Sequence, residues 1–525
     1  STTAGPSRVR GCTPVSVVCV RILPTPLLPL HRSMVGSVAG VLPLVGVAAM
    51  LTEGGDDRTT TNAKGVNKYH CRPQPIPDAV FRGSCTCNIP TESAYRAAEA
   101  AYQSIQDGDV SVGDIMEGVR SKIKSMYQVP AGTEVFLCPS GSDAEYIPLQ
   151  IAKILTKGRK IVNIVTCDSE VGSGTLDAAG GKYFSPVVPL PEDGMDAKAM
   201  GQPVQGLADN VETVSIAARD MGDSSVVNAK SGVQEAVDKC SQEGSVPIVH
   251  CVLGSKTGIV EPFPETNFGQ MVSARDAFIV VDACQARFRR EWLTDYLNKG
   301  AFVLITGSKF YRGPPFSGAV LVPSLVMERL LMTDTTLAPG LSYFLSSNEV
   351  PTALTSWKTA LKDTNNTGLA LRWVAALDEM EPTLAMPDDE KDGLQEGWLE
   401  SVLSELGKHP DELEAFEPRS CATIVSLRLR KQGGGYYNTA ECKKVFEWMT
   451  LDMSQKLGTP DAATKCYIGQ PVSVAMGGGC VLRIALGSDS LRQLVGDREG
   501  ARAADVAIVT KLALLTRRFE ELSKM

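Results

Sequence analysis

Three short apolar runs, close together and each bordered by polar residues, constrain this chain more than anything else in it. Phe278 to Val281 is β-branched and apolar and ends in Asp282. Ala301 to Ile305 ends in Thr306, Gly307, Ser308 and Lys309, and Ala319 to Val322 follows Gly313-Pro314-Pro315 and Ser317-Gly318. Unbroken apolar runs of this length read as strands buried on both faces, the signature of a mostly parallel sheet in an α/β fold. Open sheets of that kind bind ligands beyond the carboxyl ends of their strands. The runs therefore bring an acid, an amide (Gln285), two hydroxyls and one lysine to neighbouring loops.

An acid and a lysine at successive strand ends suit pyridoxal phosphate. That cofactor needs a lysine for its Schiff base and a carboxylate to keep its ring nitrogen protonated. The stretch Val281-Asp282-Ala283-Cys284-Gln285, then Ser308-Lys309, Gly313-Pro314 and Ser317-Gly318-Ala319 resembles the fold-type I pyridoxal-phosphate enzymes, most closely the class V aminotransferase and cysteine desulfurase branch. The resemblance implies that Asp282 pairs with the pyridine nitrogen, that Gln285 lies near the ring hydroxyl, with Thr306 and Ser308 close by, and that Lys309 carries the cofactor. Lys256 is the competing lysine; Lys309 is preferred because it lies one strand past the aspartate.

With 525 residues the chain is long enough for two or three domains. A net charge of −8 is unlike the basic face of a nucleic-acid binder. No CxxC pair or His-rich tract marks a metal site. The 14 cysteines are scattered, several in apolar strands, which suggests buried reduced thiols.

The first fifty-two residues contain no Asp or Glu but carry Arg8, Arg10, Arg21 and Arg32. Acid-poor leaders with Arg and Ser read as organelle transit peptides, here plastid or mitochondrial; without that role the chain would be cytoplasmic. Met34 to Leu51 is apolar, but its glycines and proline make it a poor spanning helix, so no stable membrane insertion is expected. Residues 53–67 read as a linker.

Helices are predicted at Glu92 to Gln106 and Val112 to Tyr127. A strand over Glu134 to Leu137 then runs into Pro139-Ser140-Gly141-Ser142-Asp143-Ala144-Glu145. Small residues between a strand and a helix expose N–H groups that favour a phosphate, although Ser-Gly-Ser-Asp is also a good helix cap. By resemblance, Ser140, Gly141 and Ser142 hold the cofactor phosphate. Lys160 to Thr166 is the next strand. The class V histidine expected after it to stack on the ring is absent; Glu170 or Val171 stands near its place. Residues 189–232 read as an insertion. Val233 to Cys240 is a helix and Pro247 to Leu253 a strand. The following Ser255-Lys256-Thr257-Gly258 resembles the class V loop that puts Thr257 near the cofactor and His250 near the substrate, though a lone histidine in an apolar strand is more often a core residue.

Past Val322 the resemblance implies a homodimer in which the turn at Ser342 reaches the neighbour's cofactor. Ala353 to Met380 is predicted as one long helix and Pro387 to Asp392 as an acidic breaker. The small domain is α+β: helices at Leu394 to Gly407, Thr439 to Leu457 and Ala501 to Lys524, strands at Ala422 to Leu429 and Cys480 to Leu486. Arg483 sits in a Leu-Arg-Ile context similar to the family's substrate-carboxylate arginine. Arg82 and Ser84 are further substrate candidates; Arg312 and Arg419 are weaker ones.

The domain limits expected are 1–67 (targeting extension and linker), 68–330 (large cofactor domain), 331–393 (interdomain helical segment) and 394–525 (small domain). The function implied is an enzyme acting on an amino acid, first an aminotransferase, with a lyase or cysteine desulfurase as the alternative. Cys421 is the nearest candidate for a desulfurase thiol. Ser308 replaces the histidine that commonly precedes the lysine in decarboxylases. A catalytically silent scaffold is the remaining reading, and intact Lys309 and Asp282 speak against it.

Overall fold

The three apolar runs are adjacent strands of one large sheet. The computed structural model describes residues 45–192, 197–220, 222–261, 277–333, 336–417, 421–474 and 479–524. The leader and its arginines, and Arg419, lie outside these residues. In chain order the strands are β1 (Ala79–Arg82), β2 (Glu134–Cys138), β3 (Ile161–Thr166), β4 (Val211–Ile216), β5 (Val246–Leu253), β6 (Val260–Glu261), β7 (Phe278–Asp282), β8 (Phe302–Thr306), β9 (Gly318–Val322), β10 (Leu413–Phe416), β11 (Ile424–Leu429), β12 (Lys465–Ser473) and β13 (Cys480–Ala485).

The large sheet has the order β2-β9-β8-β7-β5-β3-β4, with β6 paired to β5. Strands β4, β3, β5, β7 and β8 run parallel, while β9 is antiparallel to both β8 and β2. The connection 307–317 is too short for the crossover that a parallel β9 would need. The start of β9, not its end, therefore meets the end of β8: Thr306 pairs with Gly318. Both sheet faces are covered. Val249, Cys251, Ile279, Val281, Val303 and Ile305 join one core, and Ile248, Val280, Phe302, Leu304 and Val320 the other. Two buried faces explain why the runs are unbroken rather than alternating.

The helices Glu92–Gln106 and Val112–Tyr127 form where expected. The second opens on a reciprocal cap between Ser111 and Asp114 and ends at Gln128 in the left-handed region. The single long helix predicted from Ala353 divides into Thr355–Ala360 and Thr367–Leu384, because Asn366 accepts from the Leu369 N–H and starts a new helix. The acidic stretch after Pro387 is no breaker. It is the first turn of Asp388–Leu406, where three acids face the positive end of the helix dipole. The region read as an insertion contributes β4 to the sheet edge.

Two domain expectations need correction. Residues 53–67, read as a linker, and residues 45–52 before them are packed into the fold. Val47 and Leu51 pack with Ala94, Ala98, Leu371 and Ala375, and buried Arg372 donates to the carbonyls of Leu51, Glu53 and Gly54. Gly368 permits the approach, since a Cβ there would lie 2.3 Å from the Glu53 oxygen. The second sheet, β1-β12-β13-β11-β10, also crosses the expected limits: β1, from the region assigned to the large domain, pairs in parallel with β12. The described residues all belong to one compact unit, 42–525.

Arg82 holds β1 in place. Its Nε donates to Asp505 Oδ1 at 2.6 Å, and its terminal nitrogens donate to Ser490 Oγ and the Ala501 carbonyl. Asp505 Oδ2 accepts from Trp398 Nε1. Both members of the ion pair are 3 % exposed or less. Removing one partner of such a pair strands the other charge, so Asp505→Ala is expected to cost about 3–5 kcal/mol in denaturant unfolding. The double replacement Arg82→Met with Asp505→Leu is expected to recover most of that loss.

Candidate active site

The carboxyl ends of β2, β3, β5, β7 and β8 lie along one edge of the large sheet, and most sequence-predicted site residues sit in the loops that follow. Register places Val252 beside Asp282 and Asp282 beside Leu304. Asp282 is half-buried, and its Oδ1 accepts from the Cys284 N–H at 3.0 Å. Thr306 Oγ1 donates to the Cys284 carbonyl at 2.6 Å, tying the end of β8 to the turn after β7. Burial and then the negative charge of Asp282 push the Cys284 thiol up, while the Lys309 ammonium pulls it down.

Around this pair the backbone is close-packed. A Cβ on Gly141 would lie 2.7 Å from Cys284 Sγ and 3.4 Å from Thr306 Cγ2, so only glycine brings the β2 turn this near. Ser140 Oγ accepts from the N–H groups of Ser142 and Asp143 and donates to Asp143 Oδ2. Gln285 donates to the Cys85 carbonyl, leaving its Oε1 buried with no hydrogen-bond partner; Ser308 Oγ and Ser317 Oγ are orphaned likewise. Asn88 Nδ2 grips the carbonyls of Ser308 and Lys309, both at 2.9 Å.

Other predicted residues take different places. Arg82 is turned into the small sheet by Asp505 and is no substrate contact. Ser84 donates to the carbonyls of Ala485 and Leu486 and accepts from Arg287. Arg312 pairs with Asp489. Thr257 is engaged by a buried ionic cluster: its hydroxyl donates to Glu170 and accepts from Arg219 Nη2. Glu170 is therefore an ion-pair partner of Arg219. Burial opposes its ionisation, but the Arg219 guanidinium and the Ser255 and Thr257 hydroxyls outweigh that and hold the carboxyl below its usual range. Arg219 also forks onto both oxygens of Glu417 at 2.8 Å, joining the β4–β5 connection to the segment after β10.

Arg483 reaches the loop after β5. Its Nη1 donates to the Lys256 carbonyl at 3.0 Å, and its other nitrogens donate to Thr86 Oγ1 and the Gln470 carbonyl. Lys256 is half-buried; burial first, then the positive charges of Arg483 and Lys309, pull its amine down to about 8. His250 is fully enclosed, with Nε2 against Asn163 Oδ1 and Nδ1 facing Glu145. It sits behind Asp282 rather than in a substrate contact. Ser342 Oγ donates to the Pro339 carbonyl within its own turn.

Three residues carried no functional signal in the sequence. Arg58, in the segment read as a linker, pairs with Asp56 and donates to Ser140 Oγ at 3.0 Å, its guanidinium 4.4 Å from the Phe316 ring centre. Asn88 lies in a stretch read only as a loop, and Glu145 closes the turn read as a phosphate site or helix cap, in which it had no role of its own. The twelve described cysteines are free, and all but Cys421 are buried. Among the described residues no cluster could hold a metal ion, and no helix is long and apolar enough to cross a membrane.

No family model matches the chain, and no curated protein matches it. Among solved structures it is similar to the glutamate decarboxylase domain of a diaminobutyrate-pyruvate transaminase and L-2,4-diaminobutyrate decarboxylase from Vibrio parahaemolyticus, at 14 % identity over 85 % of this chain and 82 % of that one, TM-score 0.49. It is similar also to a cysteine desulfurase from Escherichia coli (12 %, over 83 % and 95 %, TM-score 0.49) and a 4-hydroxyphenylacetaldehyde synthase from Rhodiola rosea (12 %, over 82 % and 82 %, TM-score 0.49). At these values the functional reading rests on the residues of this chain.

The lowered Lys256 amine gives a direct check. Near pH 8 an amine-directed acylating reagent is expected to modify Lys256 ahead of the exposed lysines, read by peptide mass spectrometry. Lys511, also pulled down to about 8 by burial, donates to the carbonyls of Met449, Leu451 and Thr464 and is expected to stay unmodified.

Proposed function

We propose that the chain is a pyridoxal-phosphate enzyme acting on an amino acid, with Lys309 as the residue that carries the cofactor. The observation behind this reading is the parallel pairing of β7 and β8, which sets Asp282, at the end of β7, beside the strand whose end leads into Ser308 and Lys309. The site fits the cofactor. Gln285 Oε1 and Ser308 Oγ are buried polar atoms with no protein partner, an arrangement that a polar ligand satisfies.

Bound there, the cofactor would supply an electron sink for a carbanion at the substrate Cα. Asp282 would keep its ring nitrogen positive, and Gln285 would meet its ring hydroxyl. The Ser140-Gly141-Ser142 turn, braced by Arg58 through Ser140, would hold its phosphate. The Lys309 amine, released by the incoming substrate, would move the proton at Cα. Asn88 would steady that lysine through its backbone. Arg483 would orient the substrate carboxylate by exchanging one of its present bonds to backbone oxygen, a planar fork suiting that partner.

Aminotransfer is the first choice of reaction, in a homodimer whose Ser342 turn serves the partner's site. A second reading, desulfuration, has one observation in its favour. Cys421 lies against Gly258 and lines a cavity of about 270 Å³ with Arg287 and Phe310.

Borohydride reduction of the cofactor-loaded protein is expected to fix a pyridoxyl mass on the peptide containing Lys309. The visible to near-ultraviolet band is expected to vanish in Lys309→Ala. A mass on the Lys256 peptide would transfer the role to that residue, and a colourless protein that takes up no cofactor would end the proposal. In product analysis, amine exchange dependent on a keto acid supports aminotransfer; sulfide release lost in Cys421→Ala supports desulfuration.

A further inference from the structure

Behind Asp282 lies a buried pair whose hydrogen-bond directions are fixed by their neighbours. Asn163, in β3, donates from Nδ2 to the Ala179 carbonyl at 2.8 Å. That bond sets the amide with Oδ1 toward His250, whose Nε2 is 2.5 Å away. An amide oxygen only accepts, so Nε2 carries the hydrogen. The other ring nitrogen, Nδ1, then faces Glu145 Oε2 at 3.4 Å. Both side chains are 2 % exposed, and neither of these two atoms has a hydrogen-bond partner.

Two lone pairs cannot satisfy each other. A single proton between Nδ1 and the carboxyl oxygen would satisfy both atoms, and wherever it sits the pair is neutral overall. The surroundings choose the uncharged form. Burial pulls His250 down to about 4, against the opposite pull of Asp282. Burial and then the Asp282 charge push the Glu145 carboxyl well above its usual range. Asp282, from β7, is the charged group that acts on both members; Asn163, from β3, is neutral.

We propose that Glu145 is a protonated acid whose hydrogen is directed at Nδ1 of His250, so that no second ionised carboxylate beside His250 opposes the charge on Asp282. Two facing carboxylic groups cannot both ionise cheaply. By keeping the proton, Glu145 leaves Asp282 anionic and available to the cofactor's ring nitrogen. Glu145 is thus a positioning residue acting through Asp282. This role rests on the functional reading above; the placement of the proton does not.

The chain has four histidines, so ring nitrogen spectra of histidine-labelled protein are tractable, with His250 assigned by His250→Gln. In cofactor-free protein His250 is expected as the neutral Nε2–H tautomer, unchanged from about pH 8 to about pH 5, where an ordinary histidine titrates. A cationic ring at neutral pH, or an Nδ1–H tautomer, overturns the proposal. Glu145→Gln is expected to keep the tautomer, because its amide can donate to Nδ1. In loaded protein the same neutral exchange is expected to leave the pH midpoint of the cofactor band in place; a move of more than about one unit would show that a charge had been removed and would overturn it. A protein that shows the tautomer but binds no cofactor would sink the functional reading and leave the proton where the structure puts it.

Discussion

The ladder joining β5, β7 and β8 is the constraint on which the site depends. These strands are buried on both faces, so their backbone groups find partners only in one another. The register that satisfies them, Val252 with Asp282 and Asp282 with Leu304, also fixes which residues emerge at the edge. A slip of one residue would send every side chain to the opposite face and would turn Asp282 away from His250 and Glu145. The polar residues at these strand ends are tolerable only because the strands stop there. One step earlier, each would face a hydrocarbon core.

Buried arginines do the joining elsewhere. Arg82 locks β1 into the small sheet through Asp505, Arg219 links the β4–β5 connection to Glu417, and Arg372 fastens residues 51–54 through backbone carbonyls. Each guanidinium donates to several oxygens, which offsets the cost of removing the charge from water. The geometry also has a functional reach. Arg58, carried in by the segment that Arg372 fastens, meets the Ser140 turn, so residues far from the strands help to set the candidate phosphate site.

Much of the site was legible because short-range pattern and chemistry agree there. Asp282 and Lys309 each close an apolar run, and such runs become buried strands whatever surrounds them. Thr306, Ser308, Gln285 and Gly141 follow from the same punctuation. Arg82 and His250 misled for one reason: residue type and local context do not say what waits across the fold. Arg82 found Asp505, more than four hundred residues away, and His250 found Asn163 and Glu145 on two other elements.

The sequence by itself determined the approximate limits of β2, β3, β5, β7, β8, β9, β11 and β13, the α/β class and the acid and lysine that follow two of these runs, because hydrophobic periodicity and turn chemistry act over a few residues. Only the tertiary structure decided that β9 runs backward, that β1 serves the small sheet, that residues 45–67 are packed in, and that Glu145 faces His250. Those outcomes depend on pairings between distant segments, where burial and charge are settled by the partner rather than by the residue.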